Sequence, residues 1–312
     1  MQYEGVSGWK LTETGSGTYG RLYLLGVGHL KVKIPPRRFG GGEPRKLVVR
    51  RRPSGRYEAT VFYRNAVVKP LEPTGRACGV DRGIAVLCAV ADTDGTVTHV
   101  ANPRSAVARA GRLVSAQRAL AACKKTGRRD AGRRQRAKRR VARLHEQVRD
   151  ERRNHAHQVS AGLVAAYDTI VVEDLRITDM LRRPRPRPDP AQKGAHLPNG
   201  AAAKAGLNRS ISDAGWGQLL SYTIYEAACA GRSVVRVEPR HTSQTCAACW
   251  HTDAGSRICQ ERFCCIACGH EAHADTNAAA VILAVGLGRA ISPPRRTTPV
   301  LSRPGSGHRD VA

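Results

Sequence analysis

The sequence predicts an α/β protein with a metal-holding ribbon set just before its last helix. Three observations carry that prediction. Short β-rich runs are interleaved with long helical stretches, the pattern of a sheet covered by helices. Two Cys-x-x-Cys pairs, Cys246/Cys249 and Cys265/Cys268, stand fifteen residues apart. Three acids, Asp81, Glu173 and Asp275, lie at the ends of apolar elements far apart in the chain.

Charge and length narrow the possibilities. The chain has 312 residues and a net charge of +27, with 52 Lys and Arg against 25 Asp and Glu. No fold needs such an excess, so a polyanionic partner is expected. A membrane surface is the rival partner. However, no apolar run approaches the roughly 20 residues that span a bilayer, and the N-terminus does not read as a signal peptide. Ten cysteines in a chain without an export signal point to metal and a reducing cytoplasm rather than to disulfides. The paired knuckles offer four thiolates to one tetrahedral Zn²⁺, leaving no open position for catalysis. Cys78, Cys88, Cys123, Cys229, Cys259 and Cys264 read as ordinary, partly buried thiols. Cys264 adjoins Cys265 but breaks the two-residue spacing.

Residues 1–76 read as β. The runs Arg21–Leu25, His29–Ile34, Lys46–Arg51 and Tyr57–Tyr63 are broken by Gly and Pro, and Pro53-Ser54-Gly55 supplies a turn. Tyr57, Ala59, Val61 and Tyr63 alternate as in a half-buried strand. A small barrel or curled sheet is expected. Arg37, Arg38, Arg45, Arg50, Arg51 and Arg52 suit phosphates, although for any single one a solvated face is the better reading.

Cys78 to Val100 is a second β region. A strand holds Asp81 and continues through Ile84–Val90, Asp94-Gly95 turns, and Thr96–Val100 returns. A carboxylate on a core strand is costly unless paired or metal-bound. That weighs against a simple turn aspartate before Gly83. Residues 102–166 are helical, and Arg104 to Arg153 holds 18 Lys and Arg against four acids. Gly127 splits the stretch into a hairpin. So one-sided a run repels itself unless a polyanion covers it. Arg128, Arg129, Arg133, Arg134, Arg136, Lys138, Arg139 and Arg140 are the candidate nucleic-acid contacts. Val159, Leu163, Val164 and Tyr167 form the stripe that docks the second helix.

Thr169–Leu175 is a short apolar run of the kind buried on both faces in a parallel sheet. It ends in Glu173 and Asp174, where α/β folds place ligands. A lone acid at a strand end is more often solvated. Residues 181–206, with alternating prolines, read as a flexible linker or lid. Ile211–Ala230 is a helix with Trp216, Leu219, Leu220, Ile224, Ala227 and Ala228 as core. Ser233–Val237 is a strand. The ribbon takes residues 241–274, a last helix 275–288, and a disordered tail 289–312. Asp275, taken alone, is better read as a helix N-cap.

Strand hairpin, helical excursion, strand, helix, strand and final helix outline an RNase H-like fold. In that fold the three acids would meet at one sheet edge and bind two Mg²⁺. Like charges so close need hard, oxygen-seeking cations.

The motifs carry a resemblance. They are G-V-D-R-G around Asp81, I-V-V-E-D-L around Glu173, N-R-S-I-S-D-A-G-W from Asn208 and T-S-Q-T-C-A-A-C from Thr242. F-C-C-I-A-C-G from Phe263 and A-D-T-N-A-A from Ala274 complete the set. In this order, over roughly residues 77–288, the sequence resembles the TnpB proteins of insertion sequences, relatives of type V CRISPR effectors. The resemblance implies a RuvC-like nuclease domain over residues 77–240, with Asp81, Glu173 and Asp275 as catalytic ligands. It also implies a zinc-binding target-strand module and a partial wedge-type barrel over residues 1–76. The implied function is RNA-guided, Mg²⁺-dependent DNA cleavage, with a guide RNA and double-stranded DNA as partners and no membrane. The chain would be cytoplasmic, or nucleoid-associated when bound to DNA. Two departures stand out. Trp250 follows the first knuckle, where the family usually has Gly, and should alter that turn. Only 80 residues precede Asp81, where the family places a barrel and a helical lobe. The alternatives are an N-terminally truncated RNA- or DNA-binding protein that does not cut, and a transposase of the same fold.

Overall fold

A computed structural model describes residues 1–5, 7–13, 19–34, 42–64, 70–123, 128–192 and 194–291. Arg37, Arg38, Gly127 and the tail beyond residue 291 lie outside the described residues.

The N-terminal part builds two antiparallel sheets. The strands are β1 (Gln2–Glu4), β2 (Trp9–Glu13), β3 (Tyr19–Leu24), β4 (Gly28–Lys33), β5 (Glu43–Arg51) and β6 (Tyr57–Arg64). Their orders are β1-β5-β6 and β2-β3-β4. One apolar cluster of Trp9, Leu22, Leu24 and Leu47 joins the two sheets. No ladder closes them into a barrel among the described residues. The alternation expected along β6 is also not observed. Tyr57 is 66% and Tyr63 39% exposed, and only Val61 packs on the cluster. The reason is that β6 is an edge strand of a thin sheet, with little to bury it.

The central sheet contains β7 (Ala77–Arg82), β8 (Val86–Asp92), β9 (Val97–Ala101), β10 (Thr169–Glu173) and β13 (Ser233–Val237), in the order β13-β10-β7-β8-β9. The strand expected to run through Ile84 instead turns back at Gly83, whose N–H reaches the carbonyl of Leu87. β8 is therefore antiparallel to β7, and β9 to β8, while β10 runs parallel to β7 and β13 parallel to β10. Between β9 and β10 stand α1 (Ser105–Ala121) and α2 (Arg128–Ala166). After β10 come α3 (Ile177–Met180), the short pair β11 (Arg187–Pro188) and β12 (His196–Leu197), then α4 (Ala201–Ala214) and α5 (Trp216–Cys229). The segment read as a linker thus contains a small ladder and the start of a helix. The single helix expected from Ile211 is two, broken at Gly215, whose φ of 68° suits glycine. The ribbon holds β14 (Arg262–Cys264) and β15 (Glu271–His273), and α6 (Ala274–Gly286) follows without a break.

Strand alternation sorts the core into two faces. Cys78, Val80, Ile170 and Val172 pack with Leu163 and Val164 of α2, Tyr167 just beyond it and Ala227 of α5. Ala77 and Val171 pack with Ile282 and Leu283 of α6 on the other face. Gly79 shares that second face and lets α6 lie on the strand backbone. A methyl group there would overlap the carbonyl oxygen of Ala279 and sit 2.5 Å from the nitrogen of Leu283. No described helix is long and apolar enough to cross a membrane.

Gly79→Ala is therefore expected to push α6 off the sheet and destabilise the protein by about 1–3 kcal/mol. Thermal melts test this. An unchanged Tm would show that the helix can yield.

Candidate active site and metal centre

The register of the sheet explains why the acids meet. Val172 pairs with Val80, so Glu173 lies level with Asp81 on the next strand. Both follow the alternation that turns Ala77, Gly79 and Val171 toward α6. Asp275 stands in the first turn of that helix. Its Oδ2 comes within 3.7 Å of where a Gly83 side chain would begin. Three segments separated by some hundred residues each thus deliver one carboxylate apiece to one end of the β7–α6 contact.

The cluster is electrostatically tense. The Asp81 carboxyl is pushed up to about 7, first by burial and then by the charges of Glu173 and Asp275, with Arg257 and Arg82 opposing. Burial also raises Glu173, against a hydrogen bond from Thr242 and the charges of Arg82 and Arg257. The Thr242 hydroxyl donates to Glu173 Oε1 at 2.5 Å, which fixes that carboxylate's orientation. Arg82, itself lowered by burial, donates from Nη2 to the Glu173 carbonyl at 2.5 Å. Arg257 projects from the ribbon to within 3.7 Å of Asp275 Oδ1. The backbone N–H of Asp275 donates to His273 Nδ1 at 3.2 Å. The N-cap is therefore His273, and Asp275 is not the cap. Carboxylate oxygens are hard donors of the kind Mg²⁺ prefers, although among the described residues the set whose ligand atoms all lie within 4.8 Å of one another is that of the four cysteines. Thr242, Arg257, Arg82 and His273 were not singled out in the sequence. Thr242 lies in the T-S-Q-T-C motif, whereas nothing in the spacing marks Arg257.

The ribbon brings the four knuckle cysteines together, with ligand sulfurs all within 4.8 Å of one another. Cys246 and Cys268 lie 3.8 Å apart, and Cys249 and Cys265 3.5 Å. The two knuckles share one backbone design. Trp250 N–H bonds the Cys246 carbonyl and Gly269 N–H the Cys265 carbonyl, both at 2.9 Å. Backbone N–H groups of Ala248 and Cys249 point at the Cys246 sulfur, and those of Ala267 and Cys268 at Cys265. Such donors favour thiolates, so the set suits a tetrahedral ion such as zinc. Trp250 does not alter the turn as expected. Its φ of 65° matches the 73° of Gly269. The strain of a non-glycine residue there is offset in part by Arg289, whose guanidinium stacks 4.0 Å from the Trp250 ring. Cys264 is half-buried, while Cys259 is exposed and not the partly buried thiol expected. Asn277 ties the ribbon to α6. Its Nδ2 donates to the Thr245 carbonyl at 2.7 Å, and its Oδ1 accepts from Ala247 N–H at 2.9 Å.

The candidate nucleic-acid residues share one segment of α2. Arg133, Arg136, Lys138 and Arg140 are exposed, and Arg134 and Arg139 half-buried. Arg128 and Arg129 start the helix, but their side chains lie outside the described residues. Arg136, Arg139 and Arg140, with Arg112 and Arg143, line a groove of about 530 Å³ along α1 and α2. Arg51 and Arg52 meet Arg139 across a smaller hollow. Further along α2, Glu146 and Asp150 pair with Arg56 and so anchor the β5–β6 turn.

Two outcomes are expected here. Cys265→Ser should abolish the single zinc per chain and Cys264→Ser should keep it. Metal analysis decides, and equal loss in both would show a wrong ligand set. Asp81 costs stability wherever it must ionise in the fold. The cost begins near its ordinary value of 3.8 and is complete above about 7. In Mg²⁺-free buffer Asp81→Asn should therefore stabilise the protein at pH 8, by at most about 4 kcal/mol. The gain should fall toward zero near pH 4. Melts at both pH values check it, and a gain independent of pH would show that the fold does not raise the Asp81 carboxyl.

Comparison with known proteins adds the lineage. The family model OrfB_IS605, described as "Probable transposase", matches residues 57–183. The model "Cas12f1-like, TNB domain" matches residues 216–282. A protein of Escherichia coli strain K12 named as a candidate RNA-guided DNA endonuclease, InsQ, is 33% identical over 232 residues, covering 74% of this chain and 54% of its own. A similarly named protein of Streptomyces pristinaespiralis is 31% identical, covering 79% of this chain and 54% of its own. The chain thus spans about half the length of the curated relatives it matches. The CRISPR-associated endodeoxyribonuclease Cas12f1 of Sulfoacidibacillus thermotolerans is 52% identical over 56 residues, 18% of this chain and 13% of its own. Among solved structures, a Cas12f1–sgRNA–target DNA complex aligns over 91% of this chain and 66% of its own, with a TM-score of 0.45 and 12% identity. On its two family models and its curated relatives, this chain belongs to the TnpB family of insertion-sequence proteins.

Proposed function

We propose that this chain is an RNA-guided DNA endonuclease of TnpB type, with its cutting site on an RNase H-like (RuvC-like) sheet. The observation that carries the reading is the meeting of Asp81, Glu173 and Asp275 on the α6 face, where burial first and the neighbouring carboxylates second lift Asp81 to about 7. A cluster of acids that repel one another stabilises no fold by itself, and it suits divalent cations. The names of the relatives point to the same activity.

On this reading residues 77–240 form the nuclease domain, residues 241–274 the zinc module and α6 its last helix, with Zn²⁺ structural. Two Mg²⁺ ions held by the three carboxylates would supply charge stabilisation at the scissile phosphate and a water of lowered pKa. The chain's own residues do the rest. Thr242 holds the Glu173 carboxylate in one orientation. Asn277 locks the zinc module to the helix that bears Asp275. Arg257, brought in by that module, offers a guanidinium fork beside the carboxylates that suits a phosphodiester. The α2 cations hold backbone phosphates of guide RNA or of double-stranded target DNA.

The test is cleavage of a labelled duplex, in Mg²⁺, by protein purified with its own RNA. Asp81→Ala, Glu173→Ala and Asp275→Ala should each reduce cutting to the level of the triple variant, because groups acting as one unit are not additive. Nucleic-acid binding should persist. Arg257→Ala should lower the rate by about a hundredfold. Full activity in Asp275→Ala would refute the site. A wild type that binds metal but never cuts would leave a nucleic-acid-binding protein in place of the nuclease.

A further inference from the structure

A second concave site lies between α4, the 181–187 segment, β12 and the flank of α2. Its volume is about 900 Å³, and none of the three clustered carboxylates lines it. That size falls within the roughly 300–1,000 Å³ of ligand sites.

The lining is one-sided in charge. Arg152, Arg183, Lys204 and Arg209 face the cavity, and the one acid in its wall is Asp213. Asp213 is already used: its carboxylate accepts the N–H groups of Ala106 at 2.9 and 3.1 Å and of Val107 at 3.4 Å, at the start of α1. Lys204 donates to the Met180 carbonyl at 2.5 Å and Arg152 to the Ser212 carbonyl at 2.6 Å. Those carbonyl partners fix the two side chains, and neither forms an ion pair among the described residues. Arg183 and Arg209 are exposed and have no ion pair among the described residues. Uncompensated cations in a concavity concentrate anions there.

Between the cations the wall mixes apolar Leu181, Pro184, Pro186 and Leu197 with the polar side chains of His196, Asn199 and Ser212. Asn208 adds one acceptor. Its Nδ2 donates to the Leu181 carbonyl at 2.7 Å, while its Oδ1 is buried without a partner. A buried acceptor of this kind is rare unless a ligand or water completes it.

We propose that this cavity binds a short stretch of single-stranded nucleic acid. Phosphates lie on Arg183, Arg209 and Lys204, sugar and base faces on Pro184, Pro186 and Leu197, and a base amino group or sugar hydroxyl donates to Asn208 Oδ1. A duplex, with its base faces stacked away, does not offer that combination. The proposal rests on the reading above only for the partner's class, and it stands whether or not the chain cuts.

The test uses the whole protein with short oligothymidylate and oligouridylate carrying a photoreactive 5-iodouracil. Cross-links should map to residues 181–209. Arg183→Gln combined with Arg209→Gln should remove those cross-links. It should also flatten the log-log salt dependence of binding by about 1.4, some 0.7 for each phosphate that is no longer held. Arg136→Gln combined with Arg140→Gln should weaken binding yet keep the cross-links at 181–209. Cross-links confined to α2 in the wild type, or unchanged cross-links and slope in the Arg183/Arg209 variant, would overturn the proposal. Erasure of the cross-links by free AMP while the oligonucleotide stays bound would also overturn it, making this a site for a free nucleotide.

Discussion

The architecture depends on how closely α6 lies on β7. At Gly79 the helix backbone rests directly on the strand, with no side chain between. At the far end Gly286 makes a similar approach to Val171, where any side chain would collide with the valine methyls. These two contacts set both the height and the axis of the helix over the sheet. Everything the helix carries at its start, Asp275 included, takes its position from them. Burial of Val281, Ile282 and Leu283 supplies the driving force, at about 25 cal/mol for each Å² of apolar surface removed from water.

That geometry is favourable for packing and unfavourable for charge. The helix that fills the apolar face also drives a third carboxylate toward Asp81 and Glu173. Part of the tension is relieved by Arg257, which enters from the ribbon and not from the sheet. The ribbon is in turn fastened to α6 by Asn277, two residues beyond Asp275. Cysteine cluster, guanidinium and carboxylates are therefore one mechanical unit. A change in the knuckles would be felt at the acids through Asn277 and Arg257 before it was felt in the main core.

The surface follows a different logic. Acids near the basic helices are drawn into specific structural pairs, such as Arg56 with Asp150 and Arg109 with Glu151. The cations they do not reach are left along the outer part of α2 and around the cavity beside α4. The positive excess is thus concentrated in places that the fold itself does not neutralise.

Much of this was legible in the sequence because it is encoded locally. The Cys-x-x-Cys spacing identifies the four sulfurs that converge, since a knuckle is a turn of its own. The apolar run at Thr169–Glu173 and the helix after Asp275 are readable from periodicity, and the charge of residues 104–153 needs no structure at all. What the sequence could not decide depends on contacts between distant segments. The return of the chain at Gly83 was missed because the apolar run continues through it, and only pairing of Asp81 with Ala89 distinguishes a hairpin from a long strand. The exposure of Tyr57 and Tyr63 follows from the edge position of β6, which alternation along one strand does not reveal. Arg257, Thr242 and His273 acquire their places beside the carboxylates through the docking of the ribbon on α6. Residue type and order determined which groups were available, and tertiary packing alone determined which of them face one another, because charge and hydrogen bonding act across space without regard to distance along the chain.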